Sequence, residues 1–262
     1  MYKSVAMART HKTKHGGLRA PQGGVAVRNG ILAALLASQY KRLLPRLEHV
    51  TLARGEIIYR AAEEIEAVYF PEEAVVAMVD TTADRRTVEV GIIGSEGFVG
   101  INIFLGGAVT PDRAIVQLPG GAFRMKSKDL RKEVRFGSPL QRLLLDYTRT
   151  FLAVISQSVA CSQHHSVEQR LARWLLTMSH YAGPREFLMD QHSIAAMLGV
   201  RRVGVSETAN SFRTAGLIDY RRGHMTILDR PGLEKKSCEC YRFIRHEYAR
   251  LKGEVPRLLS RD

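Results

Sequence analysis

At Gly137 the apolar residues of this 262-residue chain change their period. Before it, over residues 48–125, short runs rich in Val, Ile, Tyr and Phe are separated by turn residues every eight to twelve positions, which predicts an all-β barrel or roll. Candidate strands fall at 49–52, 56–60, 67–70, 75–79, 88–93, 114–118 and 122–125. Arg54-Gly55, Asp84, Gly94-Ser95 and Pro119-Gly120-Gly121 supply the turn chemistry between them. After Gly137, the residues Leu140, Leu144, Tyr147, Phe151, Val154, Ser158 and Cys161 recur at alternating steps of four and three, a heptad seam along one long helix. Sheet texture followed by helix texture predicts an α+β chain.

The seam is assigned to a dimer interface, a parallel helix pair in a homodimer. The alternative is burial of this helix on its own barrel. A second apolar stripe, Leu143, Leu145, Leu152 and Ile155, allows both at once. A further amphipathic helix follows, with Val167, Leu171, Trp174, Leu175 and Met178 inward, stopped at Gly183-Pro184.

Charge narrows the function. The formal net charge is +13, unevenly placed: residues 1–28 hold six basic and no acidic residues, 29–161 hold 16 and 15, and 162–262 hold 17 and 11. A neutral middle between basic ends predicts a polyanionic partner for the ends. Residues 1–28, with Gly16-Gly17, Pro21 and Gly23-Gly24, read as a disordered basic arm. The apolar stretch 31–37 continues as an amphipathic helix through Leu43, Leu44 and Leu47, which argues against a signal peptide, and no run approaches the roughly 20 apolar residues of a membrane span. Three clustered cysteines, Cys161, Cys238 and Cys240, point to a reducing compartment and a cytoplasmic protein. The expected division is an arm at 1–28, a roll at 29–136, a long helix at 137–162 and a third unit at 163–262.

That third unit carries the chemistry. Asp190 caps a helix with Ile194, Ala195 and Leu198 on its inner face, Gly199 supplies a left-handed turn, and a second helix runs from Arg201 to about Thr214. Val205, Ala209 and Phe212 face the first helix; Arg202, Val203, Ser206, Glu207 and Asn210 face outward. This is a helix-turn-helix, whose second helix fits the major groove. Strands at 217–220 and 224–228 around Arg221-Arg222-Gly223 add a basic wing. Arg221, Arg222 and His224 are candidates for phosphates; Arg202, Ser206, Arg201 and Asn210 for bases or the adjacent backbone.

Roll, long helix and winged helix, in this order from Ile31 to Leu228, resemble the bacterial transcription regulators of the cyclic AMP receptor protein and fumarate-nitrate reduction regulator (Crp/Fnr) family. The run from Ile194 to Glu207 is the most specific piece. The resemblance implies a cyclic-nucleotide-binding-like β-roll or jelly roll as sensor, a long dimerisation helix and a C-terminal winged helix-turn-helix domain. It also implies a homodimer on palindromic double-stranded DNA, with RNA polymerase as a further partner. Two departures matter. Where the family's recognition helix carries Arg-Glu and, four residues on, another Arg, this chain has Arg202, Val203 and Glu207. Val203 suits a thymine methyl; Glu207 suits either a cytosine amino group or the orientation of Arg202 or Arg201. In the roll, the family's Phe-Gly-Glu run and later Arg are matched by Phe98-Val99-Gly100-Ile101-Asn102 and Arg113-Ala114, with Ile101 at the Glu position. Gly100, Ile101, Arg113 and Ala114 are the candidate ligand residues, but a hydrocarbon at 101 leaves ribose hydroxyls unpaired at about 1–3 kcal/mol each. Cyclic AMP binding in the usual way is therefore not expected.

No metal and no cofactor are expected. An iron-sulfur cluster needs four thiolates, and haem would have only His49 in the roll. Cys238 and Cys240 fall on one expected helix at 233–251, where Lys235, Lys236 and Arg242 could lower their pKa for reaction with oxidants; ordinary thiols are the simpler reading. Neighbouring His164 and His165 would point to different helix faces, which argues against a metal site with Cys161. The reading is a sequence-specific, homodimeric DNA-binding regulator and not an enzyme, since neither a phosphate loop nor a nucleophile motif is found. The alternative is a ligand or cyclic-nucleotide receptor whose winged helix is a protein-interaction module.

Overall fold

The computed structural model describes residues 27–83, 87–183 and 186–253. The expected basic arm, apart from Val27 and Arg28, lies outside them, as do Asp84 and Pro184. Arg28 already belongs to the roll: its backbone N–H donates to Glu72 Oε1 at 2.9 Å and its guanidinium pairs with Glu73 at 2.7 Å.

Two short helices, α1 (Gly30–Ala33) and α2 (Ala37–Leu43), lead into seven strands: β1 (Glu48–Leu52), β2 (Ile57–Tyr59), β3 (Ala67–Pro71), β4 (Val75–Thr81), β5 (Thr87–Ile93), β6 (Arg113–Leu118) and β7 (Gly120–Lys126). They form two antiparallel sheets, β1-β7-β3 and β2-β6-β4-β5, close to the strand positions expected from the sequence. The period of two sends Val68 and Phe70 of β3, Val116 of β6 and Met125 of β7 into one core, where the rings of Phe70 and Phe98 stack at 5.9 Å. Helix α3 (Ile101–Phe104) lies between β5 and β6, and α4 (Ser127–Glu133) follows β7.

The long helix α5 (Pro139–His164) begins with Pro at its first position behind Ser138, whose Oγ accepts from the Gln141 N–H at 3.2 Å. It ends at His165, which is extended, and Ser166 and Gln169 then cap α6 (Val167–Ala182) reciprocally. The rest comprises β8 (Phe187–Leu188), α7 (Gln191–Leu198), α8 (Arg202–Thr214), β9 (Ile218–Arg221), β10 (His224–Ile227), α9 (Arg230–Lys236) and α10 (Cys240–Leu251).

Three expectations are corrected. First, the seam assigned to the dimer interface is turned inward. Leu140, Leu144, Tyr147 and Phe151 are in the roll's own core, Val154 is 5% exposed, and Cys161 is fully buried against Cys238 and Cys240; Ser158 is half-buried. The cause is shape: Gly91 and Gly97 leave the room that the rings of Phe151 and Tyr147 occupy, and a Cβ at either would lie within 3 Å of them. Of the second stripe, Leu145 and Leu152 are left open at 49% and 59% exposure while Leu143 and Ile155 pack half-buried against the roll; Val159, 60% exposed, continues the open line, with Leu145, Leu152 and Val159 each seven residues from the next. Second, the expected helix at 233–251 is two, α9 and α10, broken where Ser237 turns extended. Third, the wing has three strands, β8-β10-β9, because Phe187 pairs with Met225 and Leu188 with His224.

The roll and the C-terminal unit share one apolar core. Val75, Ala77, Val79, Ile92 and Leu118 of the sheet pack with Trp174, Leu175, Ile194, Leu198 and Phe212. Burial of a Trp or Phe in such a core is worth about 3–5 kcal/mol against Ala.

Candidate nucleic-acid interface

The recognition hairpin is built from local caps outward. Asp190 accepts from the Ser193 N–H at 2.8 Å and opens α7. Gly199 ends it at φ 63°, ψ 37°, a left-handed conformation that a side chain resists, and its N–H reaches the Ala195 and Ala196 carbonyls. Helix α8 then anchors itself with Val205, Ala209 and Phe212, all buried, as the spacing predicts. Arg201, Arg202, Val203, Glu207 and Asn210 are left exposed on one surface, with Val203 at 64%. Ser206 departs from this pattern: it is half-buried and its Oγ donates to Gln191 Oε1 at 2.5 Å, tying α8 to α7. Glu207 makes no ion pair with Arg201 or Arg202 among the described residues, so its carboxylate is open to a partner.

The wing turn places Arg222 at φ 51° and Gly223 at φ 86°, the pair of positive φ values that a two-residue hairpin of matching twist requires. Its charges are partly engaged. Arg221 Nε is 3.2 Å from Asp219 Oδ1, and His224 Nδ1 is 3.1 Å from Glu186 Oε1, while the Arg222 side chain at the tip is exposed.

Two domain descriptions match the chain: a cyclic nucleotide-binding domain over residues 49–135 and a Crp-like helix-turn-helix domain over 169–236, together more than half of it. The chain belongs to the Crp/Fnr family. Among solved structures, this Crp/Fnr chain is similar to a candidate family regulator from Eubacterium rectale, with 16% identity, 77% of this chain and 94% of that one covered, and a TM-score of 0.63. FixK2 from Bradyrhizobium japonicum gives 18% identity, 73% and 98% coverage and a TM-score of 0.63. A CRP-family transcriptional regulator from Thermus thermophilus gives 20%, 72% and 96%, and 0.62. At such identities the likeness is one of fold. No curated protein matches the chain. No described helix is long and apolar enough to cross a membrane.

In this Crp/Fnr roll the candidate ligand residues lie around α3 and β6. Gly100 precedes α3 at φ 106°, against Val68; Ile101 opens α3 half-buried; Arg113 and Ala114 begin β6. The Arg113 Nε is buried without a hydrogen-bond partner, and Ala114 is fully buried.

Three polar ties hold the recognition hairpin and its supports to the roll, and sequence reasoning missed all of them because each spans 85 residues or more. Trp174 Nε1 donates to Glu89 Oε2 at 3.1 Å. Tyr181 donates its hydroxyl to Glu96 Oε1 at 2.5 Å. Arg54 pairs at 3.4 Å with Asp190, the cap of α7. Burial raises the Glu89 carboxyl to about 7, opposed by the Trp174 N–H and the Arg173 charge. Glu96 is raised in the same direction, again by burial first. Gly199 itself lies against Val88 of β5, so the helix-turn-helix corner touches the sensor sheet.

The structure also joins residues that the sequence kept apart. Cys161, His165, Cys238 and Cys240 come together beside the end of α5, so His165 does not point away from Cys161 as expected. His165 escapes the helix-face argument because it is the C-cap, at φ −110° and ψ 145°, where the helical direction no longer holds.

Proposed function

We propose that this Crp/Fnr-family regulator works as a cytoplasmic homodimer that reads palindromic double-stranded DNA with α8 and has no catalytic role. The observation that carries the reading is the surface of α8. Arg202, Val203, Glu207 and Asn210 are exposed together on a helix whose opposite face is locked into a core shared with the sensor. Arg202 suits a guanine edge, Val203 a thymine methyl, Glu207 a cytosine amino group and Asn210 an adenine or the backbone. Arg201 and Ser206 flank them, Ser206 through its bond to Gln191. Arg222, with Arg221 and His224 once their ion pairs yield, neutralises phosphates.

The dimer seam in this reading is the outward stripe Leu145, Leu152 and Val159, with Ile155 half-buried beside it. The roll, lacking a hydrogen-bonding side chain at Ile101, does not take cyclic AMP by the usual contacts. Any signal it receives passes through Glu89, Glu96 and Arg54 to the hairpin. RNA polymerase is the further partner in this reading, if the regulator activates.

The test is selection of bound sequences from a random duplex library by the full chain without added ligand. A palindrome with half-sites about 34–36 Å apart, lost with Arg202→Ala, is expected. Enrichment that survives Arg202→Ala contradicts the role of α8.

A further inference from the structure

Four donor atoms from three separate places converge beside the end of α5. Cys161 lies on its last turn, His165 caps it, Cys238 sits in the break between α9 and α10, and Cys240 opens α10. All three thiols are buried. The three sulfurs and an imidazole nitrogen all lie within 4.8 Å of one another. Cys161 Sγ is 3.6 Å from Cys238 Sγ, and Cys240 Sγ is 3.5 Å from His165 Nδ1.

These separations have a meaning. With metal–sulfur bonds of about 2.3 Å and metal–nitrogen bonds of about 2.0–2.1 Å, a tetrahedral site has edges of about 3.8 Å between sulfurs and about 3.5 Å between sulfur and nitrogen. Two edges already have the size of a single ion's shell, and every other pair of donor atoms lies within 4.8 Å. An iron-sulfur cluster, with several irons and sulfides between its ligands, holds its thiolates farther apart.

The surroundings favour a cation as well. His165 Nε2 is 3.2 Å from Glu239 Oε1, so its N–H donates to the carboxylate and the Nδ1 lone pair turns toward the sulfurs. Metal-bound imidazoles almost always have such a partner, which fixes their tautomer. Gln157 donates an amide N–H to Cys240 Sγ at 3.1 Å. Three thiolates around a divalent ion leave one negative charge, which Arg170 and Arg173 are placed to offset.

We propose that Cys161, His165, Cys238 and Cys240 bind one zinc ion tetrahedrally and so pin the first turn of α10 to the end of α5. Soft thiolates with imidazole select zinc over the hard, oxygen-seeking cations. Four protein ligands leave no open position, so the site holds structure and does not activate water. Its effect reaches the DNA-binding unit, because Arg170, beside the sulfurs, donates to the Leu198 carbonyl next to the Gly199 turn.

The experiment is elemental analysis of the full chain, purified under reducing conditions with zinc in the medium, followed by replacement with cobalt(II). About one zinc per chain is expected, with cobalt giving tetrahedral d–d bands and thiolate charge-transfer absorption. Cys161→Ser and Cys240→Ser should each reduce retained zinc to below about a tenth of an equivalent. Because those variants could misfold, His165→Cys is decisive: it should keep the ion and raise the thiolate-to-cobalt absorption by about a third, as three thiolates become four. Chelation should lower the thermal midpoint of the wild type by about 5 °C or more. Folded wild type that takes up no zinc even when zinc is added overturns the proposal. So does a cobalt spectrum unchanged by Cys240→Ser, or a native Cys161–Cys238 disulfide in place of the metal.

Discussion

The two faces of α5 are written in nearly the same residues and meet opposite fates. Leu140, Leu144 and Phe151 are at most 4% exposed against the roll, while Leu145, Leu152 and Val159 are 49–60% exposed. Both stripes have heptad spacing, so period alone establishes two contacts without saying which partner each one meets. Volume decides. The inner face carries Tyr147 and Phe151, and the sheet opposite offers Gly91 and Gly97, where the aromatic rings fit and a branched stripe would leave voids. The outer face is aliphatic and narrow, suited to a second copy of itself.

The comparison can be broken from either side. Phe151→Ala should cost about 3–5 kcal/mol of stability, measured by urea unfolding, because it opens a cavity under Gly91; a loss below about 1 kcal/mol would mean that the inner face is not core. Leu152→Asp should convert the dimer to a folded monomer in sedimentation and lose only the concentration-dependent part of the stability that dimerisation adds. A variant that unfolds instead would reverse the assignment of the two faces.

Smaller effects sharpen how the docked hairpin responds. Arg202→Ala should cost about 1–3 kcal/mol of operator affinity and relax the preference at one base pair of each half-site, read by competition binding. Glu89→Gln keeps an acceptor for Trp174 Nε1 and removes the titration. Glu89 is raised to about 7, so its stabilising contribution is complete below about pH 4.5 and is lost as pH rises through about 7. The thermal midpoint of the variant should therefore gain on the wild type between pH 5 and 8; a constant difference would remove Glu89 as the cause. Arg222→Ala, at the open tip of the wing, should lower affinity about equally for all sequences and reduce the slope of log K against log salt by about 1.

Much of this was legible in the sequence, for reasons that particular residues make plain. The strands of the roll lie where turn residues punctuate the β-branched runs, and α7 and α8 are bounded by Asp190, Gly199 and the buried triplet Val205, Ala209 and Phe212. Those signals are local. What escaped is nonlocal or too short to have a period: the two-residue β8, the break at Ser237, and the partners Glu89, Glu96 and Arg54, each at least 85 residues from its contact. The Cys161 and Cys238 sulfurs are 77 residues apart in the chain, and only the end of α5 at His165 and the break before α10 bring them together. The spacing puts Ser206 on the outward face of α8, but its bond to Gln191, which depends on how closely the two helices cross, is not legible in the sequence.

The most direct measurement of the account is the stoichiometry and affinity of the full chain on its selected palindrome, comparing wild type with Leu152→Asp. Two chains should bind the wild-type complex together in one cooperative step, with the variant binding each half-site singly and at least about a hundredfold more weakly. Equal affinity and cooperativity for the two proteins would contradict a dimer built on the outward face of α5.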